Sequence, residues 1–149
     1  MAETGSRLDP YPGFLFVVEF GSEGAGGFAE CSGLDVEIET EDYAEGGENG
    51  FVHKLPGRRR WTDIILKRGI IGPQLWSWLA EQQLGSIKTR SVTLRVRQSG
   101  GEGELAIEVS GAFPVRWQGP QLDAGQSQVA METLTLSHRG FAMPKRAGG

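Results

Sequence analysis

Residues 92–109 read VTLRVRQSGGEGELAIEV, two alternating runs on either side of a glycine-rich turn. Side chains of a β-strand point alternately to opposite faces, so each run has one apolar and one charged face. The apolar positions are Val92, Leu94, Val96, Leu105, Ile107 and Val109, and the charged positions include Arg95, Arg97, Glu104 and Glu108. The turn at residues 100–103 predicts a β-hairpin in which these arginines and glutamates are cross-strand neighbours.

Further runs of strand length occur on both sides of this hairpin. In chain order they are residues 14–20, 34–41, 58–68, 115–118 and 128–138. Residues 34–41 alternate without a fault, so we expect Leu34, Val36 and Ile38 to face the core and carboxylates to form the other face. The last run changes phase near Glu132, which indicates either a β-bulge or burial on alternate faces.

Glycine and proline positions predict the turns and one helix. Glycine accounts for 23 of 149 residues and clusters at residues 21–27, 46–50 and 100–103, where we expect turns. Residues 73–84 begin with a proline, are followed by Gly85 and carry an apolar face that includes Leu75, Trp76 and Leu79, as in a helix. With about six or seven mostly antiparallel strands, this predicts a mainly β fold, a sandwich or barrel with one packed helix.

The composition fits a single domain over residues 1–149. The chain is 38% hydrophobic and 23% charged, and a chain of this length buries enough surface to fold without a disulfide. Cys31, the single cysteine, is expected to be an inert buried thiol. We expect residues 1–13 to be an N-terminal extension and residues 140–149 a flexible C-terminal tail.

Charge and hydropathy exclude several classes of function. The formal net charge of −4 argues against nucleic-acid readout, because phosphate contacts need a surplus of Lys and Arg. No apolar run approaches the roughly 20 residues that span a bilayer. The N-terminus has no charged and apolar regions of a secretory signal, so we expect synthesis in the cytoplasm.

The sequence has few patterns that indicate catalysis or metal binding. It contains two histidines and no Gly-x-Ser-x-Gly, His-Glu-x-x-His or phosphate-loop motif. We expect His138 to be a hydrogen-bonded structural residue, and the sequence around His53 indicates no chemistry for it. An acidic group offers oxygen ligands for calcium, although its spacing fits no calcium loop. It consists of Glu41, Asp42, Glu45 and Glu48. We therefore expect no enzyme activity, no cofactor and no metal.

Charges are segregated along the chain. Residues 21–52 contain nine acidic residues and no Lys or Arg, whereas residues 54–68 contain six basic residues and one acid. Opposite patches on one chain can pair head to tail between copies and repeat into a ring or filament. A scattered, solvated surface is the alternative. Residues 42–54 have no periodicity and predict a long acidic loop.

Several short motifs follow one another along nearly the whole chain. They are DPY at residues 9–11 with Phe14 and Phe16, FAECSGL at 28–34, EGGENGFVHKLPG at 45–57, ILKRG at 65–69, LWSW at 75–78, AFPVRW at 112–117 and VAMETL at 129–134. Together they resemble the tail tube proteins of contractile phages and of related phage-tail-like contractile injection systems.

The resemblance implies a structural subunit of an inner tail tube, in which homohexameric rings stack into a hollow tube inside a contractile sheath. It implies an antiparallel β-sandwich or barrel-like fold with one packed helix and a long extended loop. The implied partners are further copies of the chain, a sheath protein, baseplate or tube-initiator proteins and a cap. The lumen can hold effector cargo, and the particle can be released from the cell in which it assembles.

The resemblance also maps the long loop onto a segment that tube proteins extend toward a neighbouring subunit. We expect Phe51 to be an apolar anchor and Glu45 or Glu48 to approach arginines of another copy. The expected interface residues are Glu45, Gly46, Gly47, Glu48, Asn49, Gly50, Phe51, Lys54, Arg58, Arg59 and Arg60. The candidate lumen-facing or sheath-facing charges are Glu37, Glu39, Arg95, Arg97, Glu104 and Glu108.

Two other functions stay open at this point. A baseplate-proximal tube initiator, or a ring protein of a membrane-anchored secretion system, would form rings and need partners to polymerise further. A small ligand-binding or hydrolytic β-domain would need a concave pocket with convergent polar groups, since a fold does not determine a function.

Overall fold

The computed structural model describes residues 13–21, 23–43, 53–97, 104–120, 122, 125, 131–142 and 145–146. The strands are β1 (Phe16–Phe20), β2 (Glu23–Ser32), β3 (Val36–Tyr43), β4 (His53–Trp61), β5 (Ile64–Ile71), β6 (Arg90–Arg97), β7 (Glu104–Gln118), β8 (Glu132–Ser137), β9 (Gly140–Phe141) and β10 (Lys145–Arg146). The helix α1 spans Pro73–Glu81.

Six antiparallel strands close into a barrel. Their order is β7-β6-β1-β2-β5-β8, and pairing between β8 and β7 closes the sheet. Alternate side chains of these strands fill the interior. The large buried ones include Phe28, Ile64, Leu66, Leu94, Leu134 and Leu136. The predicted mainly β fold with one helix is confirmed. Of the two predicted architectures, a sandwich or a barrel, the structure is a barrel.

The hairpin of β6 and β7 has the predicted register. Leu94 lies opposite Ile107 and Val96 lies opposite Leu105, so their apolar faces coincide. β7 continues without a break to Gln118, and the separate strand predicted at residues 115–118 is the end of this longer strand.

The helix packs on the barrel through two buried residues, Leu75, which lies against Gly26 of β2, and Trp78, which meets Phe20 of β1 edge to face. Gly26 permits this close approach, since a Cβ atom there would lie 2.8 Å from Leu75 Cδ1. Gln82 has an extended backbone and its side chain bonds to Lys88, which ends the helix at Glu81 and not at the predicted residue 84. Trp76, predicted on the apolar core face, is half exposed.

The predicted irregularity near Glu132 occurs where β8 pairs with β5. Between the pairs Leu66–Leu134 and Gly69–Glu132, β5 has one residue more than β8. Arg68 in this stretch has a φ of 56°, which is a bulge conformation. The extra residue therefore belongs to β5, and β8 keeps one phase from Glu132 to Ser137. The first part of the predicted run, residues 128–130, lies outside the described residues.

Three further segments differ from their predicted form. Residues 21–27 were expected to be a turn, but β2 begins at Glu23, because its glycines provide room for the helix without breaking the strand. Residues 58–68 belong to two strands, β4 and β5, with a break after Trp61. The expected tail at residues 140–149 begins in β9, and both β9 and β10 pair with β7.

β3 and β4 form a separate two-stranded sheet, which we call the arm (residues 36–43 and 53–61). Every arm residue is exposed except the partly buried Trp61. Val36 and Ile38 are 50% and 51% exposed, so the prediction that they face the core of this subunit is wrong. The physical reason is that six other strands close the barrel and leave no edge for β3 to join. Of the predicted core face, only Leu34 packs against the core.

Candidate functional site

The two strands of the arm carry opposite charges. β3 contributes Glu37, Glu39, Glu41 and Asp42, and β4 contributes Lys54, Arg58, Arg59 and Arg60. In the ladder, Glu37 lies opposite Arg60 and Asp42 lies opposite Lys54. Arg60 Nη2 contacts Glu39 Oε1 at 2.8 Å. Both side chains are largely exposed, so this ion pair contributes at most about 1 kcal/mol to folding.

The arm also exposes apolar side chains on both faces. Val36 and Ile38 share one face, and Tyr43 and Leu55 share the other, each about half exposed. An isolated two-stranded hairpin is marginally stable in water. Exposed apolar side chains on both faces of such an element indicate contact with another protein chain.

A cleft of about 570 Å³, which we call the basic cleft, lies where the arm meets the barrel. It is lined by Glu39, Arg58, Arg59, Arg60, Trp61, His138 and Arg139. Arg139 comes from the turn between β8 and β9, so the cleft joins two parts of the chain that are distant in sequence. Four arginines face one carboxylate, which makes the cleft a site for anionic groups.

Backbone contacts of His138 hold the barrel side of the basic cleft. Its Nε2 lies 2.8 Å from Thr62 O, and its Nδ1 accepts a hydrogen bond from the Gly140 N–H at 3.0 Å. These two partners select the neutral tautomer with the proton on Nε2. Gly140, with a φ of 138°, leaves room for the Trp61 ring. The expectation that His138 is a structural histidine is confirmed.

An ion triad crosses β1, β6 and β7 on the face that points away from the barrel interior. Arg95 donates from Nε and Nη2 to the two carboxylate oxygens of Glu19, each at 3.1 Å, and from Nη1 to Glu104 at 2.8 Å. Glu19 is only 6% exposed. Hydrogen bonds to Glu19 and to Glu104 raise the pKa of Arg95, so the guanidinium stays charged. The predicted proximity of Arg95 and Glu104 is confirmed.

The six candidate lumen-facing or sheath-facing charges occupy two surfaces. Glu37 and Glu39 lie on the arm. The outward face of the β6–β7 hairpin carries the others, Arg95, Arg97, Glu104 and Glu108. There Arg97 lies directly opposite Glu104. The six charges therefore do not form one surface within a subunit.

The expected interface residues are only partly described. Lys54, Arg58, Arg59 and Arg60 are all exposed on β4. The others lie outside the described residues, and they are Glu45, Gly46, Gly47, Glu48, Asn49, Gly50 and Phe51. β3 extends to Tyr43 and β4 begins at His53, so both ends of the predicted loop at residues 42–54 are strand.

A second, apolar depression of about 430 Å³ lies beside α1. It is lined by Ile71, Gly72, Pro73, Trp76, Trp117 and Glu132. Trp76 meets Trp117 edge to face, with ring centroids 5.0 Å apart. Glu132 accepts a hydrogen bond from the Ile71 N–H at 2.7 Å. Trp76 is half exposed and Trp117 is partly buried, and tryptophans at such positions are frequent anchors in protein interfaces.

In the described part of the chain, the remaining candidate groups show no arrangement that indicates catalysis or metal binding. Burial raises the pKa of Cys31 from its ordinary value of 9.0 to about 11, so the thiol is protonated at neutral pH. Cys31 is partly buried, whereas the sequence predicted a buried thiol. Among the described residues, no three His, Cys, Asp or Glu side chains are grouped to hold a metal ion. No helix in that part of the chain is long and apolar enough to cross a membrane.

Sequence reasoning missed two residues of these surfaces. Glu19 is the buried partner of Arg95, and the only signal for it is a single carboxylate within the apolar run at residues 14–20. Arg139 completes the basic cleft, and nothing in its local sequence indicates this, because its neighbours in space come from β4.

Comparison with known proteins adds the family. The model for the T4-like virus tail tube protein gp19 matches residues 12–142. The chain is similar to a chain in the PVC sheath-tube complex of an extracellular contractile injection system, with 29% identity, 90% of both chains covered and a TM-score of 0.70. It is also similar to a chain in the anti-feeding prophage cap, a tube terminating cap, with 26% identity, 94% of both chains covered and a TM-score of 0.69.

Hcp1 from Flavobacterium johnsoniae has a similar fold at 13% identity, with 91% of this chain and 97% of that chain covered and a TM-score of 0.50. No match was found among curated proteins.

Proposed function

This chain belongs to the T4-like virus tail tube protein gp19 family, and we propose that six copies form a ring and that the rings stack into the hollow inner tube of a contractile injection particle or phage tail. The closed barrel is the rigid body of each subunit, and the arm is the element that joins subunits. Because the described barrel strands close on themselves, the arm offers the unpaired strand edges and the apolar surface for a neighbour.

The exposure of the arm is the observation that carries this proposal. Its apolar side chains, Val36, Ile38, Tyr43 and Leu55, have no cover within the described subunit. Covering such side chains is favourable by about 25 cal/mol for each Å² of apolar surface removed from water. A repeated contact of this kind between copies produces a ring if it closes and a filament if it does not.

The other components of such a particle would surround this tube. We propose that a sheath protein covers the outer surface, that a baseplate or initiator protein starts the tube and that a cap ends it. The lumen would hold cargo, and one of the two charged surfaces, the β6–β7 face or the arm carboxylates, would line it. Each subunit would be synthesised in the cytoplasm and act as a structural protein without a catalytic step.

Substitution on the arm tests the proposal by electron microscopy and light scattering. We expect Val36→Ser/Ile38→Ser to leave a folded monomer with wild-type circular dichroism and to abolish rings and tubes. Deletion of residues 46–50 should have the same effect. Ile87→Ser is the matched control, because Ile87 is 58% exposed and lies outside the arm, and it should assemble normally. Wild-type tubes from the arm variant would contradict the proposal.

A baseplate-proximal initiator or a tube terminator is the second candidate. The chain is as similar to a chain of the anti-feeding prophage cap, with a TM-score of 0.69, as to a chain of the sheath-tube complex, with a TM-score of 0.70. This equal similarity supports the second candidate function. A concentration series separates the two roles. A main tube subunit forms long tubes at high concentration, whereas an initiator or terminator stops at single or double rings and lengthens only with a partner protein.

A further inference from the structure

The basic cleft has more positive charge than its own subunit neutralises. Its one carboxylate, Glu39, already pairs with Arg60 at 2.8 Å. Among the described residues, the other arginines of the cleft, Arg58, Arg59 and Arg139, have no carboxylate within ion-pair distance. All of them are exposed. Three guanidinium groups therefore share one cleft without a described counter-charge, which favours an anionic ligand.

The barrel side of the basic cleft is anchored on β7. The Arg139 N–H donates a hydrogen bond to Ser110 O at 2.9 Å. The side chain of Arg139 lies against Gly111, where an added Cβ atom would be 2.6 Å from Arg139 Nε. Gly111 has a φ of 60°, which glycine adopts without strain. The Arg139 side chain is therefore packed against the barrel, which reduces the entropy lost when its guanidinium binds a ligand.

The arm side of the basic cleft has an irregular strand. β4 has two residues, Gly57 and Arg58, opposite the single residue Glu39 of β3. Such a β-bulge breaks the regular alternation and increases the local twist. Neighbouring side chains of a regular strand point to opposite faces. The bulge therefore explains how three consecutive residues, Arg58, Arg59 and Arg60, all line one cleft.

We propose that the basic cleft binds a polyphosphate group, the anion that nucleoside triphosphates and inorganic tripolyphosphate share. The inference goes beyond the proposed function, because it concerns a small ligand of the subunit and not a contact between subunits. The cleft volume of about 570 Å³ is within the usual range of small-molecule sites. The ligand bridges Arg139 of the barrel and Arg58 of the arm, and so it restrains the arm against the barrel.

Charge and donor geometry favour phosphate over a carboxylate. A carboxylate carries a single charge, and one guanidinium satisfies both of its oxygens in bidentate geometry. A phosphate group has a charge of about −1.5 to −2 at neutral pH and several strong acceptor oxygens. Linked phosphate groups therefore match guanidinium groups that approach from both the arm and the barrel.

The surroundings of the cleft favour a short polyphosphate over a nucleic-acid strand. The neighbouring strand β3 carries Glu37, Glu41 and Asp42, all of them exposed, and the net charge of the chain is −4. A nucleic-acid strand needs a positively charged groove that follows its backbone. Beyond the cleft its phosphates would meet these carboxylates, whereas a short polyphosphate stays within the cleft.

Isothermal titration calorimetry of the unassembled full chain tests the inference. The probes are tripolyphosphate and ATP, both without magnesium, and citrate is the control anion because its charges are all on carboxylates. At physiological ionic strength, we expect tripolyphosphate to bind at least about tenfold more tightly than citrate. Equal affinities for tripolyphosphate and ATP would assign the site to the phosphate chain alone. Tighter binding of ATP would identify a nucleotide as the source of the polyphosphate.

Substitution of arginines locates the site. Arg58→Gln/Arg139→Gln should weaken tripolyphosphate binding at least about tenfold, because it removes donors from both sides of the cleft. Arg58→Gln/Arg59→Gln changes only exposed arm residues, and it should cause a similar loss without altering the packing of Arg139. The matched control is Arg116→Gln/Lys88→Gln, which removes the same charge at exposed positions and should bind as the wild type does. Circular dichroism verifies that each variant is folded.

Hydrogen exchange tests the bridge between the arm and the barrel. Amide exchange in β3 and β4 should slow when tripolyphosphate binds to the wild type, and it should not slow in either cleft variant. Binding that leaves the exchange of the arm unchanged would overturn the bridge.

Three results would overturn the inference as a whole. They are the absence of tripolyphosphate and ATP binding, citrate binding as tight as that of tripolyphosphate, and unchanged tripolyphosphate affinity in both cleft variants. A single-stranded oligonucleotide that binds through the same arginines more tightly than tripolyphosphate would assign the cleft to nucleic acid instead. None of these measurements depends on whether rings or tubes form, so the proposed function is tested separately.

Discussion

The hairpin of β6 and β7 and the arm of β3 and β4 have the same alternating pattern and opposite surroundings. In the hairpin, Val92 and Leu94 are each 2% exposed and face the barrel interior. In the arm, Val36 and Ile38 occupy equivalent alternate positions and are half exposed. Alternation shows that a strand has one apolar face, and covering that face with protein is favourable. It does not show whether the cover comes from the same chain or from another.

Ion pairs repeat this contrast. Arg95 holds the buried Glu19 in two hydrogen bonds, whereas Arg60 holds Glu39 at the surface of the arm. The barrel pair orders three strands against one another, and water screens the arm pair. The barrel is therefore the stable part of the subunit, and we propose that the arm is stabilised by contact with a neighbouring copy.

The largest expected effect separates the two apolar faces. Leu94→Ala should lower the free energy of unfolding by about 2–5 kcal/mol, because it leaves a cavity in the barrel. Ile38→Ala should change it by less than about 0.5 kcal/mol, because the side chain is already half exposed. Urea denaturation of the monomers measures both. Equal losses would remove the distinction between barrel and arm.

Removing one arginine from each region compares the two ion pairs. We expect Arg95→Leu to destabilise the monomer by about 3 kcal/mol, because it takes the guanidinium from a buried carboxylate. Arg60→Leu should cost less than about 1 kcal/mol, since its side chain is 70% exposed. Thermal unfolding at low and high salt gives both values. A strong salt dependence of the Arg95 effect would show that the triad is more hydrated than its burial indicates.

Thiol reactivity extends the comparison to chemistry. The comparison uses Cys31 of the wild type and a cysteine placed on the arm in the variant Cys31→Ala/Thr40→Cys. Below pH 9, Cys31 should react with an aromatic disulfide reagent about tenfold more slowly than the arm cysteine. The reason is that a raised pKa lowers the fraction of thiolate more than it increases the nucleophilicity of that thiolate. The native thiol keeps its proton to about pH 11, while the unfolded chain loses it near 9. Stability should therefore fall as pH rises through this window. Equal rates for both cysteines would mean that the barrel opens readily at β2.

The smallest expected effect concerns the apolar depression beside α1. Trp76→Ala removes the edge-to-face contact with Trp117 and should cost the monomer about 1 kcal/mol. This is less than a barrel substitution, because Trp76 is half exposed. Urea unfolding of the monomer measures the loss of stability. Co-assembly of the variant with the sheath protein shows whether that partner contacts the Trp76 side chain. A loss above about 3 kcal/mol would place Trp76 with the core.

Most strands and the helix could be predicted because their signals are local. Strict alternation located the hairpin, and Pro73 with Gly85 located the helix to within three residues at its end. The glycines of β2 could not be placed, because a glycine has no side chain to show alternation and its role depends on Leu75 of α1. The sequence predicted an irregularity near Glu132. It did not predict that the extra residue lies on the partner strand, β5.

The candidate site could be predicted only where its residues are adjacent in sequence. Arg58, Arg59 and Arg60 form a charge run that is conspicuous by itself. Arg139 stands alone between His138 and Gly140, and it joins the cleft because β8 and β9 bring it to the base of the arm. Local patterns carry no information on such contacts, since they form only when the barrel closes.

The sequence by itself determined the strand periodicity, the helix, the separation of acidic and basic segments and the family resemblance. These depend on neighbours along the chain, whose geometry is the same in any fold that contains a strand or a helix. The tertiary structure decided that the barrel closes without β3, that Glu19 is buried against Arg95 and that Arg139 completes the basic cleft. Closure of six strands is a property of the whole chain, and it determines which apolar face stays exposed among the described residues.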